Sequence, residues 1–355
     1  MVEAFINRIA TAVPPFDVHE GFLEFGRRML KGDNRRLALF NRMADRSGIT
    51  HRYSFFEPGG EGDALDAAGF YRLGKFPGTA ARMKKFEDFA PQLAFEAVEK
   101  LLYGEDRSRI THLIVTCCTG FSAPGVDLEL INRCGLPTDT ERTVVGFMGC
   151  YAAINGLKLA RHIVRSENNA RVLAVNLELC TLHLHDTVDL DQILSFLLFS
   201  DGCAAALISA DPEGVRMESF HAALVPDTAD LIRWHIGEQG FDMVLSGQVP
   251  GAIHSALSGA RHDILKGDAV EAVDLWAVHP GGRTVLDAVE RSFVLPPASL
   301  SVSRGILNDY GNMSSGTVMF VLGRMMQDAA PGASGCAMAF GPGLMAETMR
   351  FHMAA

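Results

Sequence analysis

The sequence predicts an α/β protein in which helices form layers against sheets of parallel strands. Near-continuous apolar runs of strand length, which are typical of buried parallel strands, occur at residues 111–116, 171–177 and 204–209. A segment with helical periodicity, residues 152–164, lies between the first and second of these strands. A comparable order of strand and helix returns in the second half of the chain, which indicates two related units.

Several elements precede the first of these strands. Composition and periodicity predict, in chain order, a strand at 4–13, a charged segment with helical spacing at 19–52, a Gly- and Asp-rich loop at 59–74 and a helix at 81–102. Arg35, Arg42 and Arg46 lie at i, i+7 and i+11 of the charged segment, and therefore on one helix face. Such a stripe is explained either as a solvated surface or as a binding site for a phosphate-rich ligand.

The composition turns polar near residues 211–214, and we place the boundary between two domains there. The N-terminal half is residues 1–210 and the C-terminal half is residues 211–355. In the second half a strand at 273–278 is followed by a Pro-Gly-Gly turn, and a Gly-containing turn at 310–313 opens an apolar helix.

The spacing of four residues suggests that the two halves are duplicates. Thirty-four residues separate Thr116, at the end of a strand, from Cys150, at the opening of a helix. Thirty-three residues separate His279 from Asn312, which stand at the corresponding places of the second half. The near-equality places Cys150 and Asn312 at equivalent helix N-termini.

Composition also excludes several functional classes. Of the 355 residues 48% are hydrophobic, which is enough for two well-filled cores. Lys and Arg total 32 against 42 Asp and Glu, so the basic surface that nucleic-acid backbones require is lacking. No run of 18 apolar residues occurs, and Glu3 stands where a signal peptide carries positive charge. We therefore expect a cytoplasmic protein without nucleic-acid partners or stable membrane insertion.

Cysteine usage argues against a metal site and leaves room for a nucleophile. The chain has seven cysteines but no C-x-x-C pair, so most are expected to be small buried residues. His183 and His185 could form a metal pair on one strand face, but no third ligand stands at a useful spacing. We predict no metal.

Three residues point to acyl transfer when they are taken together. Cys150 opens a helix, where the helix dipole and a nearby imidazolium would stabilise its thiolate. His279 directly follows the end of a strand, which is where ligands of open α/β sheets bind. Asn312 would add an amide donor for a developing oxyanion. Each residue alone has an ordinary explanation, as a buried thiol, a core histidine or a helix cap. Cysteine proteases use a similar set of residues. The nucleophile elbow of α/β-hydrolases is not indicated, because it needs a small residue two positions before the nucleophile and this sequence has Met148 there.

The order of four motifs makes the chain resemble the type III polyketide synthases, the chalcone synthase-like members of the thiolase superfamily. The motifs are GCYA at 149–152, WAVHPGG at 276–282, YGNMSS at 310–315 and FGPGL at 340–344. The resemblance runs from about residue 33 to residue 347. It implies a thiolase-like duplicated fold with five layers, α-β-α-β-α.

The resemblance also implies an activity, its substrates and the roles of the three residues. Cys150 would carry the starter acyl group from acyl-CoA, while His279 and Asn312 would hold the malonyl-CoA thioester carbonyl during loss of carbon dioxide. Both substrates would be free CoA thioesters, no cofactor would be needed, and the enzyme would be a homodimer. Arg42 and Arg46 match residues that bind the CoA phosphates, and Arg35 would compensate for a missing lysine.

The pocket residues implied by the resemblance bear on the starter. Phe199 matches a residue beside the malonyl group, Phe241 one at the mouth of the pocket, and Phe340 is assigned to the pocket as well. Cys118, Cys180 and His183 replace residues that are often threonine in plant enzymes. Ala123 stands where the partner subunit of plant enzymes inserts a methionine. We therefore expect a medium or long fatty acyl starter, and an alkylpyrone or alkylresorcinol product.

Two other functions remain open from the sequence. One is a ketoacyl synthase III-like condensing enzyme, which uses the same three residue types on a carrier protein. The other is a non-catalytic binding subunit of the same fold.

Overall fold

A computed structural model describes residues 2–59, 62–189, 192–193 and 197–354 of the chain. The helices that it describes are α1 (His19–Met29), α2 (Asn34–Arg46), α3 (Thr79–Leu101), α4 (Val126–Cys134), α5 (Ala152–Ser166), α6 (Val249–Leu265), α7 (Arg283–Phe293), α8 (Ser301–Tyr310) and α9 (Thr317–Asp328). No helix in the described part of the chain is both long and apolar enough to cross a bilayer.

The described strands form one large sheet and two small antiparallel pairs. The large sheet contains β1 (Phe5–Ala12), β4 (His112–Cys117), β5 (Glu141–Gly146), β6 (Val172–Leu179), β7 (Asp201–Ser209), β8 (Val215–Leu224), β11 (Leu275–Val278), β12 (Ser334–Gly341) and β13 (Met345–Met353). The two small pairs are β2 (Phe16–Asp17) with β3 (Tyr53–Ser54), and β9 (Ile232–Gly237) with β10 (Gly240–Leu245).

Strand pairing in the large sheet repeats itself about its centre. The order is β11-β12-β13-β8-β1-β7-β6-β4-β5, and β1 and β8 pair antiparallel in the middle. In the N-terminal half, β7 pairs antiparallel with β1, β6 pairs antiparallel with β7, and β4 pairs parallel with β6. In the C-terminal half, β13 pairs antiparallel with β8, β12 pairs antiparallel with β13, and β11 pairs parallel with β12. The pairing pattern is thus a duplication. The connection from β7 to β8 contains the boundary between residues 210 and 211, which stays a prediction because one sheet runs through both halves.

Five layers of helix and strand result from this arrangement. α3 packs on β1, β6 and β7 on one side, and the apolar side chains of α6 and α7 join those of β11 and β12 on the other. Between the two halves of the sheet lie α5, which contacts β6 and also β13, and α9, which contacts β12 and also β1. The resulting order of layers, α-β-α-β-α, is that of the predicted fold class.

Two details of the sequence interpretation need correction. The sheet is mixed rather than parallel, because β7 runs antiparallel to both of its neighbours. Every residue of β7 is buried, and a strand that is buried on both faces shows the same continuous apolar run in either direction. The charged segment at 19–52 is two helices, since Asp33 caps α2 by accepting a hydrogen bond from the Arg36 amide at 3.0 Å.

Candidate active site

Cys150 lies in a tight turn that two glycines make possible. The 3₁₀ turn Gly149–Tyr151 joins β5 to α5, so the cysteine directly precedes the N-terminus of a long helix. Gly149 has a φ of +75°, and a β-carbon there would lie 2.3 Å from the Cδ atom of Pro342. A β-carbon on Gly341 would lie 2.8 Å from the Tyr151 ring. The GCYA and FGPGL motifs therefore form one packed unit around the cysteine.

The Cys150 thiol differs from the other six cysteines in its exposure. All seven are free thiols, and Cys150 alone is half-buried while the rest are buried. Burial raises the pKa of this thiol to about 12, and a hydrogen bond with the Ser314 hydroxyl opposes the rise. Burial thus opposes the thiolate that the helix N-terminus is expected to stabilise, and the thiolate stays a prediction.

Asn312 is held rigidly by its backbone and by its own amide. Its backbone forms a parallel bridge with Phe199, since its N–H donates to the Leu198 carbonyl at 2.9 Å and its carbonyl accepts from the Ser200 amide at 3.0 Å. The side-chain oxygen accepts a hydrogen bond from the Ser314 amide at 2.8 Å. The side-chain Nδ2 donates to the Gly281 carbonyl at 3.2 Å, which leaves its second N–H for a ligand.

His279 is a buried ring whose hydrogen-bonding groups are unused. It follows the last residue of β11, and its backbone amide donates to the Met338 carbonyl at 2.7 Å. Its side chain is buried, and neither ring nitrogen has a hydrogen-bond partner among the described residues. Burial lowers the pKa of the ring to about 3, so the imidazole is neutral at physiological pH. Buried polar atoms without partners are rare and indicate a place where a ligand binds.

One glycine connects the two candidate oxyanion donors. The carbonyl of Gly281 accepts the Asn312 amide, and a β-carbon on Gly281 would lie 3.6 Å from Nε2 of His279. Two donors, one from each side chain, thus flank the turn that follows β11. Neither residue carries a negative charge that would repel an oxyanion.

A mostly apolar cavity opens on Cys150. Of the residues assigned to the pocket from the sequence, Cys118, Cys180, His183 and Phe199 lie in its wall. The wall also contains residues without an assigned role, which are Thr119, Gly149, Leu184, Ile232, Trp234, Met243, Ser314 and Pro342. Ala123 lies on an exposed loop and does not reach this cavity within its own chain.

Phe241 and Phe340, also assigned to the pocket, do not border this cavity directly. Phe241 is buried behind His183, whose ring stacks on it with centroids 4.2 Å apart and shields it from the cavity. Met243, two residues further along the same strand face, lines the cavity instead. Phe340 packs into the core between β12 and the outer helices, and Pro342 takes the place in the wall.

His183 and His185 hold backbone and do not form a metal pair. Nε2 of His183 donates to the Thr119 carbonyl at 2.6 Å, and its Nδ1 accepts the Phe241 amide at 3.0 Å. His185 uses Nε2 to bind the Phe241 carbonyl at 3.0 Å. Both ring nitrogens of His183 are occupied, so this histidine has no lone pair left for a metal.

The sequence analysis did not identify Glu178, a buried glutamate beneath the cavity. Glu178 on β6 has no exposed surface, and burial raises its pKa while four hydrogen bonds lower it. One carboxylate oxygen accepts from the Cys118 amide at 3.0 Å and the Thr119 hydroxyl at 2.9 Å, and the other accepts from the Ser315 hydroxyl at 2.6 Å. Glu178 thereby ties the cavity wall to the segment of Asn312. A charged residue inside an apolar strand was the available signal.

The β9–β10 pair forms the opposite wall and was also missed. Ile232, Trp234 and Met243 face the cavity from it, and the Trp234 indole N–H donates to the Cys118 carbonyl at 2.7 Å. The alternation of apolar and polar residues on both sides of Gly237 and Gly240 was the signal for this pair.

The arginine stripe lies on the surface, apart from the cavity wall. Arg35, Arg42 and Arg46 are exposed on α2, and none of them has an ion-pair partner among the described residues. Three such side chains on one helix face form a cationic surface that phosphate groups can bind.

Comparison with known proteins gives one consistent result. Residues 4–212 match the family "Chalcone and stilbene synthases, N-terminal domain", and residues 216–354 match "Chalcone and stilbene synthases, C-terminal domain". Bisdemethoxycurcumin synthase of Oryza sativa subsp. japonica is 32% identical over 374 residues, covering 98% of this chain and 92% of that protein. The alpha-pyrone synthesis polyketide synthase-like Pks18 of Mycobacterium tuberculosis is 34% identical over 327 residues, covering 88% and 81%.

Solved structures agree with these sequence matches. PKS-I from the brown alga Ectocarpus siliculosus superposes with a TM-score of 0.91 at 29% identity, covering 99% of each chain. The C-terminal type III polyketide synthase domain of Steely1 from Dictyostelium also gives a TM-score of 0.91. At 24% identity, with 99% and 100% of the two chains covered, that second likeness concerns the fold alone.

Proposed function

Because the chain belongs to the chalcone and stilbene synthase family of type III polyketide synthases, we propose that its Cys150, His279 and Asn312 carry out the decarboxylative condensation of malonyl-CoA that defines these enzymes. One observation carries the assignment of residues. A neutral imidazole with two unpartnered nitrogens lies one glycine away from the fixed carboxamide of Asn312. Asn312 in turn bonds Ser314 and bridges to Phe199, and both of these residues line the apolar cavity together with Cys150.

The first step is transfer of the starter acyl group to Cys150. The sulfur of Cys150 attacks the thioester carbonyl of acyl-CoA, a new carbon–sulfur bond forms, and the bond to the CoA sulfur breaks. The thiol proton of Cys150 ends on the departing CoA sulfur. The half-buried position of this cysteine in the cavity wall, against six buried cysteines, supports its choice as the nucleophile.

The second step is decarboxylation of malonyl-CoA. The bond from the α-carbon to the carboxylate breaks, carbon dioxide leaves, and the electron pair passes into the enolate of the thioester. A ring N–H of His279 and the free N–H of Asn312 donate to the enolate oxygen. The rigid anchoring of Asn312 means that little reorganisation is needed as charge develops there.

The third step forms the new carbon–carbon bond. The enolate carbon attacks the thioester on Cys150, and Cys150 leaves as a thiolate that attacks the extended CoA thioester in turn. The thiolate is therefore regenerated by each condensation.

We assign the CoA nucleotide to α2. Arg42 and Arg46 would bind its phosphates, with Arg35 as a third contact on the same face, because these exposed cations have no ion-pair partner among the described residues. No cofactor beyond the CoA thioesters is required for the three steps above.

For the starter we propose a fatty acyl-CoA, and for the product an alkylpyrone or alkylresorcinol type. The cavity wall is mostly apolar, and its polar atoms of His183 and Trp234 are used in hydrogen bonds within the protein. A relative at 34% identity is named for alpha-pyrone synthesis. An unbranched hydrocarbon chain suits such a wall, since each buried CH₂ contributes up to about 0.8 kcal/mol.

We further propose a homodimer that works in the cytoplasm, where CoA thioesters are available. β5 is the last strand of the sheet, its side chains are largely exposed, and Val144 is 51% exposed. Phe121, 41% exposed, and Ala123 lie beside this edge. A second copy on this edge would cover apolar surface and bring the Ala123 loop to its partner's cavity.

Two alternatives are disfavoured by particular observations. A ketoacyl synthase III-like enzyme does not account for matches to chalcone and stilbene synthases over both halves of the chain. A non-catalytic subunit does not account for a buried histidine with both nitrogens unpaired, since that arrangement costs stability in a protein that binds nothing there.

The test is a reaction with a panel of acyl-CoA starters and malonyl-CoA, followed by mass spectrometry of the products. We expect products from fatty acyl starters, and a kcat/KM that increases with chain length until the cavity is filled. A preference for aromatic starters would refute the proposed substrate but not the condensation. Failure to consume malonyl-CoA with every starter would refute the proposed roles of Cys150, His279 and Asn312.

A further inference from the structure

Three metal-ligating side chains converge at the end of the sheet that lies away from Cys150. His112 begins β4, Glu141 begins β5, and Glu167 follows the last residue of α5. His112 and Glu141 are direct partners in the register of the parallel pair. One ligand atom from each of the three residues lies within 4.8 Å of the other two. The active-site mechanism uses none of them.

In the part of the chain that the structure describes, the two glutamates of this cluster form no ion pair with lysine or arginine. Glu141 contacts no charged group other than His112, at 3.7 Å, and Glu167 has no ion pair among the described residues. Glu167 also stands at the C-terminus of α5, where the helix dipole contributes about half a negative charge. An acidic residue there is unfavourable unless a cation lies close. Arg142, which follows Glu141, pairs with Asp127, and Arg171 pairs with Glu105 and Asp211.

A hydrogen bond fixes the orientation of the His112 ring. Nδ1 lies 2.8 Å from the Thr111 hydroxyl, and that hydroxyl is itself held by the Arg171 amide, which donates to it at 3.0 Å. Nδ1 is thus occupied, and Nε2 is the ring nitrogen that faces Glu141, 3.7 Å from its carboxylate. A cation between this nitrogen and the two glutamates would offset the repulsion between the carboxylates.

We propose that His112, Glu141 and Glu167 bind a divalent transition-metal cation of the zinc type. One imidazole nitrogen and two carboxylate oxygens form a ligand set that such cations accept, with water at the remaining positions. In tetrahedral geometry, ligand distances of about 2.0–2.2 Å place the ligand atoms about 3.3–3.6 Å apart, so the exposed glutamates must close by about 1 Å to complete the site. The Nδ1 hydrogen bond to Thr111 orients the histidine as outer hydrogen bonds do at known sites.

The cation joins three elements that extend to the active site. β4 ends at Cys117, next to the cavity residue Cys118, and α5 begins two residues after Cys150. A bound cation fixes the far ends of both elements and of β5. We therefore expect it to raise thermal stability without taking part in the chemistry.

The experiment is titration of zinc chloride into the full-length protein after removal of metals with a chelator, followed by calorimetry. We expect one site per chain with this ligand set, and a higher melting temperature in the presence of zinc. Glu141→Gln and Glu167→Gln each keep side-chain size at exposed positions and should weaken affinity at least about tenfold. Glu213→Gln, at another exposed glutamate, should leave affinity within about twofold.

Cobalt(II) separates this site from the seven thiols. A histidine and carboxylate site gives weak ligand-field bands, whereas thiolate ligands add intense charge-transfer absorption. Binding without charge transfer that Glu167→Gln abolishes would support the proposal. Absence of binding at one equivalent, or binding that neither glutamate substitution weakens, would overturn it.

Discussion

Replacing His279 by alanine distinguishes a catalytic role of this ring from a role in folding. Loss of one oxyanion donor costs about 10²–10³ in rate, or about 3–4 kcal/mol of transition-state stabilisation. For stability, two effects oppose each other. The cavity left by the ring destabilises the protein by about 2–5 kcal/mol, whereas removal of two buried nitrogens without partners relieves about 1–3 kcal/mol each. We expect the free energy of unfolding to change by less than about 2 kcal/mol.

The assay is conversion of malonyl-CoA to acetyl-CoA without a starter, measured beside chemical denaturation of the same preparation. His254→Ala is the matched control, because that half-buried ring is bonded to the Ser292 hydroxyl at 3.0 Å and lies outside the cavity wall. The control should decarboxylate within about twofold of the unchanged protein. If His279→Ala decarboxylates within a few-fold of the unchanged protein, the role given to this histidine is wrong.

Three further predictions concern the nucleophile, the CoA site and the cavity. With the pKa of Cys150 raised to about 12, its alkylation by iodoacetamide should accelerate about tenfold per pH unit from pH 7 to 9, whereas a plateau would reveal a stabilised thiolate. Arg42→Glu and Arg46→Glu should raise KM for CoA thioesters far more than for N-acetylcysteamine thioesters, while Lys31→Glu should not; equal damage to both thioester types would indicate misfolding. Trp234→Ala should extend the cavity, and kcat/KM should then gain about fourfold per added CH₂ beyond the original optimum. An unchanged chain-length optimum would show that Trp234 does not limit the length of the acyl chain that the cavity accepts.

The sequence predicted the elements well where periodicity and motif coincide. α5 and the strands β4 and β6 lie within two residues of their predicted ends, since buried apolar runs mark such elements clearly. Strand direction was not predictable in the same way. β7 has the composition of a buried parallel strand, but its direction depends on a connection from β6 that carries no such signal.

The cavity shows a different limit of sequence reasoning. Cys118, Cys180, His183 and Phe199 were predicted to lie near Cys150 and do line its cavity. Phe241 was assigned to the pocket, and its ring stacks behind His183. A sequence pattern predicts the face of the strand on which a side chain lies, but not which neighbouring side chain stands in front of it. For Cys150, motif and helix position predict a thiolate, whereas the extent of burial that opposes it is visible only in the structure.

The central claim is that Cys150 carries the growing acyl chain, and peptide mapping of the acylated enzyme tests it most directly. The protein is incubated with a fatty acyl-CoA in the absence of malonyl-CoA, digested, and the mass added to each cysteine peptide is measured. We predict one acyl group per chain on the peptide that contains Cys150, and none in Cys150→Ala. An acyl group on Cys118 or Cys180 instead, or a Cys150→Ala protein that still loads fully, would contradict the account.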